Sequence, residues 1–203
     1  MSTNNNNFKG LYWLIFNEIF LITHIILIKN LVGDFSVFQI VFIRSISSTI
    51  VILPILFYTK NHKSIFDKLY INLGRVLSSF CAISIQFYTI SNIQLAQVST
   101  IGYLRPSVLS IFAYFFLGEK QAKARWLVLI IGFLSIFLVF SPESFSIQIV
   151  AIIALLGVCC GAVSTIFQKF LSETFSEIQL MVWYSLGLSF LSFPFCLSSW
   201  QST

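Results

Sequence analysis

Seven stretches of this chain are long and apolar enough to cross a bilayer, and nothing else limits its fold as strongly. They fall at residues 11–28, 38–58, 71–90, 95–117, 124–140, 147–171 and 178–200. A helix needs about 20 apolar residues to span the hydrocarbon core, and a spanning segment must satisfy its own backbone polar groups. A membrane β-barrel would instead show segments of about ten residues alternating in polarity, and these segments do not alternate. The expected class is an all-α polytopic membrane protein of about seven transmembrane helices. Composition agrees, with 57% hydrophobic and only 9% charged residues, where soluble domains carry roughly a quarter charged.

The formal net charge of +5 does not point to nucleic acid. With a cytoplasmic N-terminus, Lys9, Lys60, Lys63, Lys68, Arg75, Lys120, Lys123, Arg125 and Lys169 all fall inside or at the inner boundary, and Lys29 alone falls outside. That asymmetry is the positive-inside rule. Cys81, Cys159, Cys160 and Cys196 lie within the spans and form no CxxC pair or Cys/His cluster. They read as small apolar packing residues, so neither metal nor cofactor is expected. The polar run MSTNNNNFKG reads as a short cytoplasmic tail. The segment after it ends without a small-residue cleavage site and reads as a retained span.

A second pattern concerns topology. Shifted by 140 positions, residues 169–194 fall on residues 29–54 without a gap, and seven of the 26 positions are identical. The identities are Lys29/Lys169, Leu31/Leu171, Phe35/Phe175, Ser36/Ser176, Gln39/Gln179, Ser45/Ser185 and Pro54/Pro194. An internal duplication accounts for this better than chance. The first copy holds five spans, an odd number, so the second copy enters the bilayer upside down. Inverted repeats of this kind build many secondary transporters, with the substrate site at the seam between halves. The organisation read from the chain is a tail (1–10), a five-helix repeat (11–142) and the first two helices of a second repeat (143–203).

The polar residues inside the spans are the site candidates. Asn17, Glu18 and His24 lie in the first span. A carboxylate at mid-membrane is costly and marks a substrate, ion or proton site unless it is a neutral Glu bonded between helices. Arg44 enters about two turns into the second span. It either snorkels to the surface or pairs with Glu18. Ser79 and Gln86, one heptad apart in the third span, either line a cavity or join helices. In the fourth span Tyr103 shares a stripe with Ser99, Ser110 and Tyr114, while Pro106 frees the carbonyl of Gly102 at mid-span. Broken helices at this depth line cavities or are covered by neighbours. Arg105, beside the break, needs a partner, and Glu18 is the acid at comparable depth. Pro54 and Pro194 are expected to break or bend the second and seventh spans. Gly157 and Gly161 form a small-xxx-small pattern for close helix approach. An enzyme is not expected, since His24 and His62 are far apart and no acidic pair lies in the spans.

The run FQIVFIRSISSTIVILPILFYTKN, and later STIGYLRPSVLSIFAYFFLGEKQAKARWLVLIIGFLSIFLVFSP, resembles the EamA-type transporters of the drug/metabolite transporter superfamily. The most specific part is the proline-bearing fourth helix closing in Leu117-Gly118-Glu119, then a cationic turn and a glycine-bearing fifth helix. Within that family the residues are most similar to the bacterial S-adenosylmethionine uptake transporters. The resemblance implies ten helices in two inverted repeats, a bacterial inner (cytoplasmic) membrane location, and alternating-access transport of a small solute. Seven spans are present, so the alternative is a truncated, non-transporting remnant or a membrane interaction subunit. A second copy or another membrane protein would then supply the missing helices.

Overall fold

The computed structural model describes residues 3–31, 34–58, 68–118, 126–127, 130–132, 134 and 145–200. Seven helices with described bounds follow in order: α1 (Thr3–Leu31), α2 (Val37–Tyr58), α3 (Leu69–Asn92), α4 (Leu95–Gly102), α5 (Arg105–Leu117), α6 (Phe145–Ser172) and α7 (Glu177–Ser198). No strand occurs among the described residues. Of the fifth expected span, residues 126–127, 130–132 and 134 are helical. The rest of it, and the loop residues Lys60, His62, Lys63, Lys120, Lys123 and Arg125, lie outside the described residues. Among the described residues, five helices are individually long and apolar enough to cross a membrane: Gly10–Leu31 within α1, Val37–Phe57 within α2, α3, Ile149–Ser172 within α6, and α7. The protein is an all-α polytopic membrane protein.

Local chemistry sets the helix ends. Ser176 caps α7 by accepting from the Gln179 backbone N–H at 3.4 Å, and the Gln179 side chain accepts from the Ser176 N–H at 3.3 Å. This is a capping box, and the same Ser-x-x-Gln pair, Ser36 and Gln39, stands at the start of α2. Gln94 and Gln97 form a capping box at the start of α4. Gly118 ends α5 with φ of 65°, the left-handed region that glycine enters without strain.

Residues Thr3–Gly10 are helical and continuous with the first span in α1. The fourth span breaks beside Pro106 into two helices, with a turn at Tyr103–Leu104 and Pro106 in the first turn of α5. A proline is tolerated there because the first-turn N–H groups have no intrahelical acceptor. Pro54 and Pro194, by contrast, do not interrupt their helices. Each sits within the last five residues and removes one i→i−4 bond, and the bonds on either side keep the helix running.

Side-chain contacts fix the direction of each helix. Lys29 near the end of α1 donates through Nζ to the carbonyls of Ile90 and Ile93. A cation thereby closes the C-terminal end of α3, where the helix dipole favours it. Lys68, just before α3, donates to the Phe170 carbonyl near the end of α6 at 3.3 Å. Thus α1 and α3 finish on the same side of the bundle, and α6 finishes on the other. The first and sixth spans run in opposite directions.

Two seams hold the bundle. α3 lies along α6, and α2 lies antiparallel along α7. In lipid the apolar surface alone does not drive helices together, so close approach and interhelical hydrogen bonds carry the association. Gly157 of α6 allows the first: a Cβ there would stand 2.6 Å from Ile85 Cγ2 of α3. Gly187 of α7 does the same toward Val76 at 2.8 Å. Phe87, Ile90, Ile101, Leu104 and Ala162 form the buried centre. α1 joins it only near its C-terminal end, through Ile25 and Ile28, and residues 10–23 are exposed along their length.

Candidate functional site

The seam between α2 and α7 is laced by hydroxyls. Thr49 Oγ1 donates to Ser185 Oγ at 2.9 Å, and Ser189 Oγ donates to Ser45 Oγ at 3.0 Å. The 140-residue offset carries Ser45 onto Ser185 and Thr49 onto Ser189. The two bonds therefore exchange under one operation, as contacts across a two-fold axis must. Each hydroxyl also has an acceptor on its own helix: Thr49 to the Ser45 carbonyl, Ser45 to Phe42, Ser185 to Val182 and Ser189 to Ser185. Ser36 reaches Ser199 at 2.9 Å, and Phe38 stacks on Phe195 further along.

Directly beside these bonds is a cavity of about 200 Å³. Its walls come mainly from offset-related positions: Val41 with Met181, and Ser45 with Ser185. Where the copies have diverged, Arg44 on α2 corresponds to Tyr184 on α7, and Ser48 to Leu188. The cavity is thus symmetric in position and asymmetric in chemistry. Arg44 is its one ionised wall residue, and no ion pair is formed by Arg44 among the described residues. His24 of α1 lies within electrostatic reach of the Arg44 guanidinium, and its Nε2 is buried without a hydrogen-bond partner.

Of the seven residues picked from the sequence, the cavity takes in Arg44 alone. His24 adjoins it. Asn17 and Glu18 are exposed on α1, and Gln86 and Tyr103 are exposed on α3 and at the α4–α5 turn. Glu18 and Arg105 do not pair. Arg105 lies across α6, where the absent side chain of Gly161 leaves room for its guanidinium, and Nη2 reaches Thr165 Oγ1 at 3.5 Å. The reason is where each helix packs: α5 lies on α6, whereas α1 is fastened to α3 at its far end. Ser79, left open between cavity and glue, is glue, since it hydrogen-bonds Ser164 inside the α3–α6 seam.

Sequence reasoning placed Arg75 at the inner boundary, and the structure buries it. It is 4% exposed and donates through Nη1 to the Leu180 carbonyl of α7 at 3.1 Å. Its guanidinium carbon stands 5.0 Å from the centre of the Tyr184 ring. Arg75 therefore backs the same tyrosine that walls the cavity. Arg75 Nε and the Oδ1 of Asn72, one turn earlier, are buried without partners. A legible signal existed: Asn72, Arg75 and Ser79 recur at i, i+3 and i+7 on one face of α3. No group of three or more His, Cys, Asp or Glu that could hold a metal occurs among the described residues.

Comparison with known proteins bears on this arrangement. The EamA-like transporter family matches residues 8–141, about the extent of the first five spans. Curated relatives include the S-adenosylmethionine uptake transporter of Rickettsia felis, 22% identical over 193 residues, or 94% of this chain and 65% of that protein. The protein of that name from Rickettsia bellii is 23% identical, covering 94% of this chain and 66% of its own length. That from Rickettsia prowazekii is 21% identical over 95% of this chain and 65% of its length. The chain spans about two thirds of the length of these relatives. No solved structure matches it. On the strength of the family match and of spans built as described, this integral membrane protein belongs to the EamA-like transporter family.

Proposed function

We propose that the chain forms the carrier body of a secondary transporter that takes up a small solute of the S-adenosylmethionine class. One observation carries this reading: the cavity lies astride the axis relating α2 to α7, with an unpaired cation in its wall. In transporters built from inverted repeats the substrate site sits at that seam, and rocking one half on the other exposes it to each side in turn. The opposite directions of α1 and α6 suit such a plan, and so does the pair of reciprocal hydroxyl bonds. The Rickettsia relatives supply the substrate class, and Arg44 supplies a group to receive it. An N-terminus on the cytoplasmic side of a bacterial inner membrane follows from the loop charges.

The test is uptake of radiolabelled S-adenosylmethionine into cells expressing the chain, with Arg44→Ala as the comparison. Accumulation above vector cells that falls in the variant is the expected result. No accumulation, with the protein present in the membrane, would overturn the carrier reading in favour of a non-transporting membrane subunit.

A further inference from the structure

We infer that the cavity between α2 and α7 is an anion subsite that receives the carboxylate end of an amino-acid-like ligand, Arg44 being its charged anchor. This deepens the carrier reading and rests on it for the choice of one probe.

The argument is an inventory of free hydrogen-bonding groups. Ser45 and Ser185 have already given their hydrogens to the Phe42 and Val182 carbonyls, and their oxygens accept from Ser189 and Thr49. They have no donor to offer. The Arg44 guanidinium, the Ser48 hydroxyl and the Tyr184 hydroxyl line the same space and form no hydrogen bond among the described residues. What remains is one cationic donor and two hydroxyls free to donate, with no carboxylate in the wall. A guanidinium inside a membrane span calls for a counter-charge, and its planar fork matches a carboxylate with two parallel bonds.

Two further observations narrow the ligand. About 200 Å³ is less than the ~300 Å³ at which pockets begin to enclose a whole drug-sized molecule. An amino-acid end fits, and a nucleoside end must lie outside. Moreover, one face of the Tyr184 ring is engaged by the Arg75 guanidinium at 5.0 Å. With that guanidinium against the ring and the Arg44 guanidinium lining the same cavity, a ligand's cationic centre is repelled rather than held. The anionic end is the one recognised.

A phosphate from an anionic lipid presents similar chemistry, and the experiment separates the two. The full chain in nonionic detergent is titrated with two matched pairs: S-adenosylmethionine and its decarboxylated analogue, then methionine and methionine amide. The expected result is that removing or amidating the carboxylate weakens binding about ten- to a hundredfold, the worth of a charge-assisted hydrogen bond. Arg44→Gln should erase that preference while leaving thermal stability unchanged, since the side chain is exposed, and Arg44→Lys should restore part of it. Equal binding within both pairs overturns the inference, as does no binding by any of the four, or a preference that survives in Arg44→Gln. Competitive displacement by phosphatidylglycerol, with no carboxylate preference, shows a lipid headgroup site and also overturns it. Carboxylate-selective binding without uptake sinks the carrier reading alone, and uptake competed equally by the decarboxylated analogue sinks this inference alone.

Discussion

The two seams solve the same packing problem in opposite ways. Along α3–α6, backbones approach until Gly157 has no room for a Cβ beside Ile85, and polar groups are sealed in: Ser79 on Ser164, while buried Arg75 of α3 reaches past this seam to the Leu180 carbonyl of α7. Along α2–α7, short hydroxyl side chains meet in reciprocal pairs and leave a cavity next to them. The first seam gains from shape and cannot slip without clash. The second gains from weak, exchangeable bonds. The first interface is built for fixity, and the proposed ligand site lies in the second.

Four experiments break or sharpen that division. Arg75→Ala removes a buried charge-assisted bond and a stacked cation, and should lower stability by about 3 kcal/mol in reversible unfolding from mixed micelles. A loss below about 0.5 kcal/mol, the range of ordinary surface changes, would deny Arg75 its fastening role. Gly157→Leu forces a side chain into Ile85 and should cost about 2 kcal/mol by the same measurement, the middle of the overpacking range. Across the other seam, a double-mutant cycle of Thr49→Val and Ser185→Ala should give a coupling of only about 0.6 kcal/mol, as interhelical hydrogen bonds in membranes do. A coupling above 2 kcal/mol would erase the contrast between seams. Arg44→Gln should change stability by less than about 0.5 kcal/mol while reducing uptake, because its side chain is exposed at the cavity rather than packed.

Much of this architecture was legible. Apolar length alone located the spans, and α2, α3, α6 and α7 begin and end within two residues of the expected bounds. The 140-residue offset, read first as seven identities, is also the relation that exchanges the two hydroxyl bonds, Thr49 to Ser185 and Ser189 to Ser45. The candidate site was less legible, for physical reasons. Polarity at mid-span flags a residue but not the direction it faces, so Glu18 and Gln86 were picked yet are exposed. Tyr184 was passed over because aromatic residues are common in such spans, and only the arrival of Arg75 and Arg44 from other helices gives it meaning. Arg75 was counted with the loop cations, although it lies six residues past the start of α3, about 9 Å along its axis. Contacts between distant helices decide each of these, and periodicity within one helix does not report them.

The hydroxyls between α2 and α7 each keep a carbonyl of their own helix within reach. Serine and threonine in helices commonly fall back on such i−3 or i−4 acceptors. Pulling the two helices apart therefore strands no proton: every O–H that lets go of its neighbour still has a home behind it. A joint of this kind can open and reclose many times at little energetic penalty, like a latch whose tongue always rests in one slot or the other.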